Sequence, residues 1–263
     1  MTEDSFYDGR RYLETGQALE HARVLVEEGA DILDIGAESS RPGARPVEAQ
    51  VECERVEAVL DAIGLKNGLN VAISIDTSKS LVARKALEYD IDMINDIHAL
   101  GRDPELADLV SQAGCRIVLM HMQGNPETMQ QNPRYTDVID ELLQFFENRI
   151  QYAMSRGIRE ENIILDPGIG FGKTLEHNLA IIRNCRRFRS MGFPVLFGPS
   201  RKSFIGTITG KPVEERLFGT AGVIAYLTAE GADILRVHDV SAMKDVIHCV
   251  NRIVTVDDTR GES

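Results

Sequence analysis

Ile163-Ile164-Leu165-Asp166-Pro167-Gly168-Ile169-Gly170-Phe171-Gly172-Lys173-Thr174 reads as a short apolar strand, an ionisable group at its end, a glycine-rich loop and the approach to a helix over 176–190. The apolar run is brief and unbroken, as a strand of a parallel sheet is when it is buried on both faces. The loop is not a P-loop, because Pro167 stands where the first Gly of G-x-x-x-x-G-K-T belongs. It is not a dinucleotide fingerprint either, because Lys173 replaces the third Gly. It is expected to fold closely against a flat ligand; a plain turn is the structural alternative.

The same grammar recurs outward in both directions. Ile32–Gly36, Val71–Asp76, Met93–Asn95, Arg116–Met120, Val195–Gly198 and Ile234–Val237 are further short runs of Ile, Val, Leu or Met. Helical periodicity lies between them, near 16–28, 46–64, 79–89, 104–113, 136–156, 176–190, 214–230 and 241–254. Within Tyr135–Arg156, for example, Val138, Leu142, Phe145 and Ile150 share one side. Gly-Ala-Asp appears twice before a strand, at 29–31 and 231–233, with Gly placed to end a helix.

Strands alternating with helices at this spacing predict a parallel sheet. A (β/α)8 barrel needs eight of each. Eight helices and seven strands are legible, and the deficit falls before the first helix, where residues 1–15 read as a loop. The expected fold is therefore an α/β barrel of the TIM type whose first strand is absent from this stretch of chain, or else an open sheet. One domain is expected over 1–255, with a polar and disordered tail over 256–263.

The length of 263 residues suits one such barrel, which runs to about 250. A formal charge of −12 disfavours nucleic acid or an anionic membrane as the main partner, while leaving room for a small anion held by a local basic cluster. No apolar run approaches a membrane span and no signal pattern opens the chain. Cys53, Cys115, Cys185 and Cys249 lack C-x-x-C spacing, which predicts reduced, buried thiols and a cytoplasmic setting.

Chemistry on a barrel gathers at the C-terminal ends of its strands. Here those ends carry Glu38-Ser39-Ser40-Arg41-Pro42-Gly43, Asp76-Thr77-Ser78-Lys79, Asn95-Asp96, Met120-His121-Met122, Asp166-Pro167-Gly168, Ser200-Arg201-Lys202-Ser203 and Arg236-Val237-His238-Asp239. Singly, each has a bland reading. Asp76 and Asp96 could be helix caps, His121 a packing residue, and Arg201 with Lys202 a solvated pair. Their shared rim favours a site.

Taken in order, and with Asp4-Ser5-Phe6-x-Asp8-Gly9 before them, these segments resemble the signatures of the dihydropteroate synthases from residue 2 to about 254. Ser40 stands where Thr is usual. The resemblance implies a homodimeric transferase acting on 6-hydroxymethyl-7,8-dihydropterin pyrophosphate and 4-aminobenzoate with Mg²⁺. It implies a pterin pocket of Asp76, Asn95, Met120, Asp166, Phe171 and Lys202. It implies an aminobenzoate site of Phe6, Ser40, Pro42 and Ser203. Arg41, Arg236 and His238 would hold pyrophosphate, with Arg41, Lys202, Arg236 and His238 as the catalytic group. The family pattern begins one strand earlier, with an Asn that helps bind the metal–pyrophosphate group. That Asn would lie just before Met1, so no metal ligand is expected in this chain and an upstream start is expected for the protein. A methyltetrahydrofolate:corrinoid methyltransferase and a catalytically silent pterin binder are the alternatives.

Overall fold

A computed structural model of the chain describes residues 15–40, 43–64 and 71–255. The expectations placed on Phe6, Arg41, Pro42 and the tail fall outside these residues.

The elements follow the predicted alternation. They are α1 (Thr15–Glu27), β1 (Ile32–Gly36), α2 (Ala49–Ile63), β2 (Ala72–Asp76), α3 (Ser80–Ala86), β3 (Met93–Asp96), α4 (Pro104–Ala113), β4 (Arg116–Met120), α5 (Val138–Ser155), β5 (Ile163–Asp166), α6 (Leu175–Arg183), α7 (Cys185–Arg189), β6 (Leu196–Phe197), α8 (Ser203–Thr209), α9 (Leu217–Ala229), β7 (Ile234–Leu235) and α10 (Val240–Thr255). Strands β1 to β5 pair in chain order, all parallel. A bridge from Leu165 to Val195 leads to β6, which pairs in parallel with β7. Neighbours in sequence are thus neighbours around the sheet, the arrangement of a TIM-type barrel.

Two layers of apolar packing hold it. Outward-facing Leu33, Ile73, Ile94, Ile117, Leu165 and Phe197 meet the helices in one continuous core. Inside the barrel, Met93, Val118, Ile164 and Leu196 form a second cluster, with Ile32 and Ile234 packed against it. Strand residues alternate between the two, because successive side chains on a strand point to opposite faces.

The edges of β1 and β7 face each other across a seam. A cavity of about 540 Å³ runs along it, lined by residues of α1, β1, β7 and α10. Seven strands occur among the described residues, and this seam is where the eighth strand of a closed barrel would run.

The helix ends behave as read. After both α1 and α9 the glycine takes a left-handed conformation, and the following alanine N–H returns to a carbonyl five residues back (Ala30 to Leu25, Ala232 to Leu227). Three details differ. The helix expected at 176–190 breaks at Asn184, whose side-chain amide donates to the Ala180 carbonyl and so competes with the backbone. Phe146 rather than Phe145 is the fully buried aromatic of α5, and that helix starts at Val138 behind an Asp137 cap. Helix α8 was not legible, since Ser-Phe-Ile-Gly-Thr-Ile-Thr has poor intrinsic helix propensity. Tertiary packing overrides this: Phe204 and Ile205 are buried, and the Arg216 guanidinium packs closely over Gly206. All four cysteines are free thiols, but Cys249 is exposed and Cys115 only half-buried, against the expectation that all four are buried. Cys249 lies on the outer part of the amphipathic α10. Among the described residues no helix is long and apolar enough to cross a membrane.

Candidate active site

The barrel's inner face changes character two residues above its apolar cluster. Ile32 is followed by Asp34, Met93 by Asn95, Val118 by Met120, Ile164 by Asp166 and Ile234 by Arg236, each on the same face of its strand. Asp76 lies beside Asn95 in the β2–β3 register, and Met120 beside Asp166 in the β4–β5 register. The period of two therefore converts scattered strand-end residues into one ring of polar groups over an apolar floor.

Arg236 organises this ring. Its guanidinium lies 3.0 Å from the Asp34 carboxylate and 3.8 Å from that of Asp76. Asn95 donates its amide to Asp34 at 3.2 Å, while its buried Oδ1 has no hydrogen-bond partner. An orphaned buried acceptor is costly unless something else fills it. Burial pushes the Asp76 carboxyl upward, Asp34 adds to this, and Arg236 opposes it. Burial likewise raises Asp166, against Arg236, Lys202 and the Gly168 N–H, which donates to its Oδ1 at 2.8 Å.

Asp34 is absent from the site read in the sequence. It sits within an apolar run, where Leu33 and Ile35 face the helices while Asp34, like Ile32, faces in. A charged residue inside a doubly buried strand was the available signal.

The cation opposite is Lys202, at the N-cap of α8. Its ammonium sits 4.4 Å over the Phe171 ring and donates to the Ile169 carbonyl. Burial, together with Arg236, pulls it down to about 7, with Asp166 opposing. Ile97, Met120, Met129 and Phe171 form a separate apolar cluster below it, so Met120 and Phe171 do come together as expected.

Chain-to-chain contact accounts for two glycines of the glycine-rich loop. Gly168 and Gly172 hold φ of +67° and +62°. A Cβ at either position would collide with backbone of the segment after β4, at His121 and Gln123 respectively. These two glycines permit close approach of chain to chain. Lys173 then folds inward, nearly fully buried. It bonds to His121 Nδ1 at 3.0 Å, to the His121 carbonyl at 3.2 Å and to the Phe171 carbonyl at 2.9 Å. His121 is buried edge-on against Phe145, and burial and this lysine push it down to about 3.

The remaining residues divide clearly. Asp96 faces outward and pins the turn after β3, accepting from the N–H groups of His98 and Leu100. Asp76 caps no helix, since α3 has Lys79 at its N-cap. Arg201 is buried against Asp239 (2.6 Å) and holds the Val213 and Glu214 carbonyls, so it is no solvated surface pair. His238 meets Ser200 Oγ at 2.8 Å through Nδ1. Ser203 is exposed at the first position of α8, and Ser40 is half-buried after β1. Among the described residues, no three His, Cys, Asp or Glu side chains are grouped to hold a metal ion.

A parallel barrel whose strand ends gather carboxylates, an amide and two cations over an apolar floor is, as a class, a small-molecule enzyme barrel. Comparison with known proteins narrows it. The family model described as pterin binding enzyme matches residues 1–238. The chain is 45% identical over 246 residues to the dihydropteroate synthase of Synechocystis sp., covering 93% of this chain and 84% of that protein. The solved dihydropteroate synthase of Xanthomonas albilineans with 4-aminobenzoic acid matches with a TM-score of 0.89 and 38% identity, over 97% and 91% of the two chains. That of Anaplasma phagocytophilum with bound 6-hydroxymethylpterin-monophosphate matches at 0.87 and 34%, over 92% and 95%. The chain belongs to the pterin-binding enzyme family and, within it, to the dihydropteroate synthases, which are transferases.

Proposed function

We propose that the inward polar ring binds 6-hydroxymethyl-7,8-dihydropterin pyrophosphate and that the chain couples it to 4-aminobenzoate, giving 7,8-dihydropteroate and pyrophosphate. The observation that carries this is the unpartnered Asn95 Oδ1 beside three inward carboxylates, an acceptor-rich pocket for a flat, donor-rich ring.

Asp166 would accept two charge-assisted hydrogen bonds from the guanidine-like edge of the pterin. Asp76 and Asn95 would take the remaining ring donors, Lys202 would donate to a ring acceptor, and Met120 and Phe171 would cover the faces. The raised carboxyls favour this role. Burial raises them, and a ligand's N–H groups would favour the ionised form again.

Arg236 and His238, with Arg41, would hold the leaving pyrophosphate. As the C–O bond breaks, its electron pair leaves on pyrophosphate and a positively charged pterin methylene remains. The arylamine nitrogen attacks that carbon, forms the C–N bond and releases its proton to solvent or phosphate. Cations aimed at the departing oxygens stabilise the charge that develops. Mg²⁺ would arrive on the pyrophosphate, whose oxygens would supply its ligands. Phe6, Ser40, Pro42 and Ser203 would bind the aminobenzoate.

A cytoplasmic homodimer completes the proposal. Phe218 on α9 is 85% exposed and Ile253 on α10 is 73% exposed, and these two helices pack on each other. Large apolar groups at that exposure fit a subunit contact.

The deciding experiment follows dihydropteroate formation from both substrates with Mg²⁺. Turnover upholds the reaction. Pterin binding without product would instead favour the silent-binder alternative.

A further inference from the structure

We infer that Lys79 is a positioning residue for the loop joining β1 to α2, and through it for the aminobenzoate side of the site, a role that rests on the reaction proposed above. Lys79 follows Asp76 by three residues and is nearly buried, its side chain 12% exposed. An ammonium has three protons to donate. Here all three have acceptors: Glu38 Oε2 at the start of the loop, the Val47 carbonyl at its end (2.6 Å), and Glu52 on α2.

The loop's two ends also meet directly. The Val47 N–H donates to the same Glu38 Oε2 at 2.8 Å. Glu38 and Val47, the two ends of the β1–α2 connection, are therefore tied together around one lysine, and Ser40 follows Glu38 by two residues. Further ties act on its flanks. Arg55 donates to the Ala37 carbonyl at 3.3 Å, Arg102 lies 3.6 Å from Glu38 Oε1, and the Gly43 N–H reaches the Pro126 carbonyl at 3.1 Å.

Glu52 is the costly member. Its side chain is 1% exposed, and a buried carboxylate is tolerated only when paired. Its other oxygen accepts from Thr77 Oγ1 at 2.6 Å, and Thr77 directly follows Asp76. A buried ionic cluster contributes little net stability but can fix one geometry among several. This cluster ties the segment that places Asp76, on the pterin side, to the loop that places Ser40, on the aminobenzoate side.

The test compares Lys79→Met, Lys79→Arg and Glu38→Gln by three readouts: the KM for 4-aminobenzoate, pterin affinity by calorimetry, and amide exchange at Val47. Lys79→Met is expected to raise the KM for 4-aminobenzoate about tenfold or more while pterin affinity stays within about threefold. Val47 exchange should quicken by about tenfold or more, and Lys79→Arg should recover most of both effects. Glu38→Gln, at a side chain 18% exposed, should keep the fold and give a smaller version of the same split; it decides the matter if Lys79→Met does not fold. An unchanged KM with fast Val47 exchange would overturn the role, as would a fall in pterin affinity matching the rise in KM. If the unsubstituted chain formed no dihydropteroate, the proposed reaction would fail, and Val47 exchange alone would then judge the clamp.

Discussion

Arg236, directly after β7, and Asp34 on β1, separated by 202 positions in the chain, stand 3.0 Å apart across the barrel seam. The pair ties the last strand to the first where no described strand lies between them. It also points Asp34 into the ring that Asn95 and Asp76 share. Asp34→Asn should therefore weaken pterin binding by about tenfold, the order of one charge-assisted hydrogen bond. Calorimetric affinity equal to that of the unsubstituted protein would remove Asp34 from the site.

Asp166→Asn is expected to cost at least about tenfold in pterin affinity, because an amide cannot accept two hydrogen bonds from a guanidine-like edge. The fold should survive, since Asn can still accept the Gly168 N–H. Near-normal binding would refute the assignment of Asp166 to that edge.

Lys202 gives pterin affinity a pH signature. Burial and Arg236 bring it to about 7, so it is charged below that pH and largely neutral above. A ligand that engages the ammonium must bring a proton with it at higher pH. Affinity should fall between about pH 7 and 9, by at most about tenfold per unit, and Lys202→Met should flatten the profile. Folding responds with the opposite sign. The unfolded chain binds this proton up to its ordinary pKa near 10.5, so stability rises with pH from about 7 to that value. A profile of affinity that is equally steep in Lys202→Met would show that another group titrates.

Phe146 is fully buried on α5 and meets Phe145 and Phe188 edge-on, with centroids 5.5 and 6.2 Å away. Phe146→Ala should cost about 3–5 kcal/mol in a denaturant titration. A loss below about 1 kcal/mol would mean that the surrounding core collapses into the space.

The exposed apolar surface on the last helices makes the oligomer testable. Phe218→Glu should shift the sedimenting species from dimer toward monomer, because it places a charge in the proposed contact. An unchanged dimer would move the interface elsewhere.

The order of strands and helices, and most of the rim, were legible because they rest on local physics. Apolar runs such as Ile117-Val118-Leu119 are buried on both faces, and the chain must then place its polar groups at the strand ends. Asp76, Asn95, Asp166, Lys202 and Arg236 all lie at such ends. Other features depended on partners far along the chain. Which way Asp34 points follows from the inward alternation of β1 and its contact with Arg236. Helix α8 forms against its local propensity because Phe204 and Ile205 have a core to enter. Gly168 and Gly172 are set by the backbone after β4, and the Lys79 clamp gathers residues from a loop, a helix and the end of β2. Periodicity is written in neighbours three or four residues apart. Contacts made across the barrel are fixed only when its strands have closed upon one another.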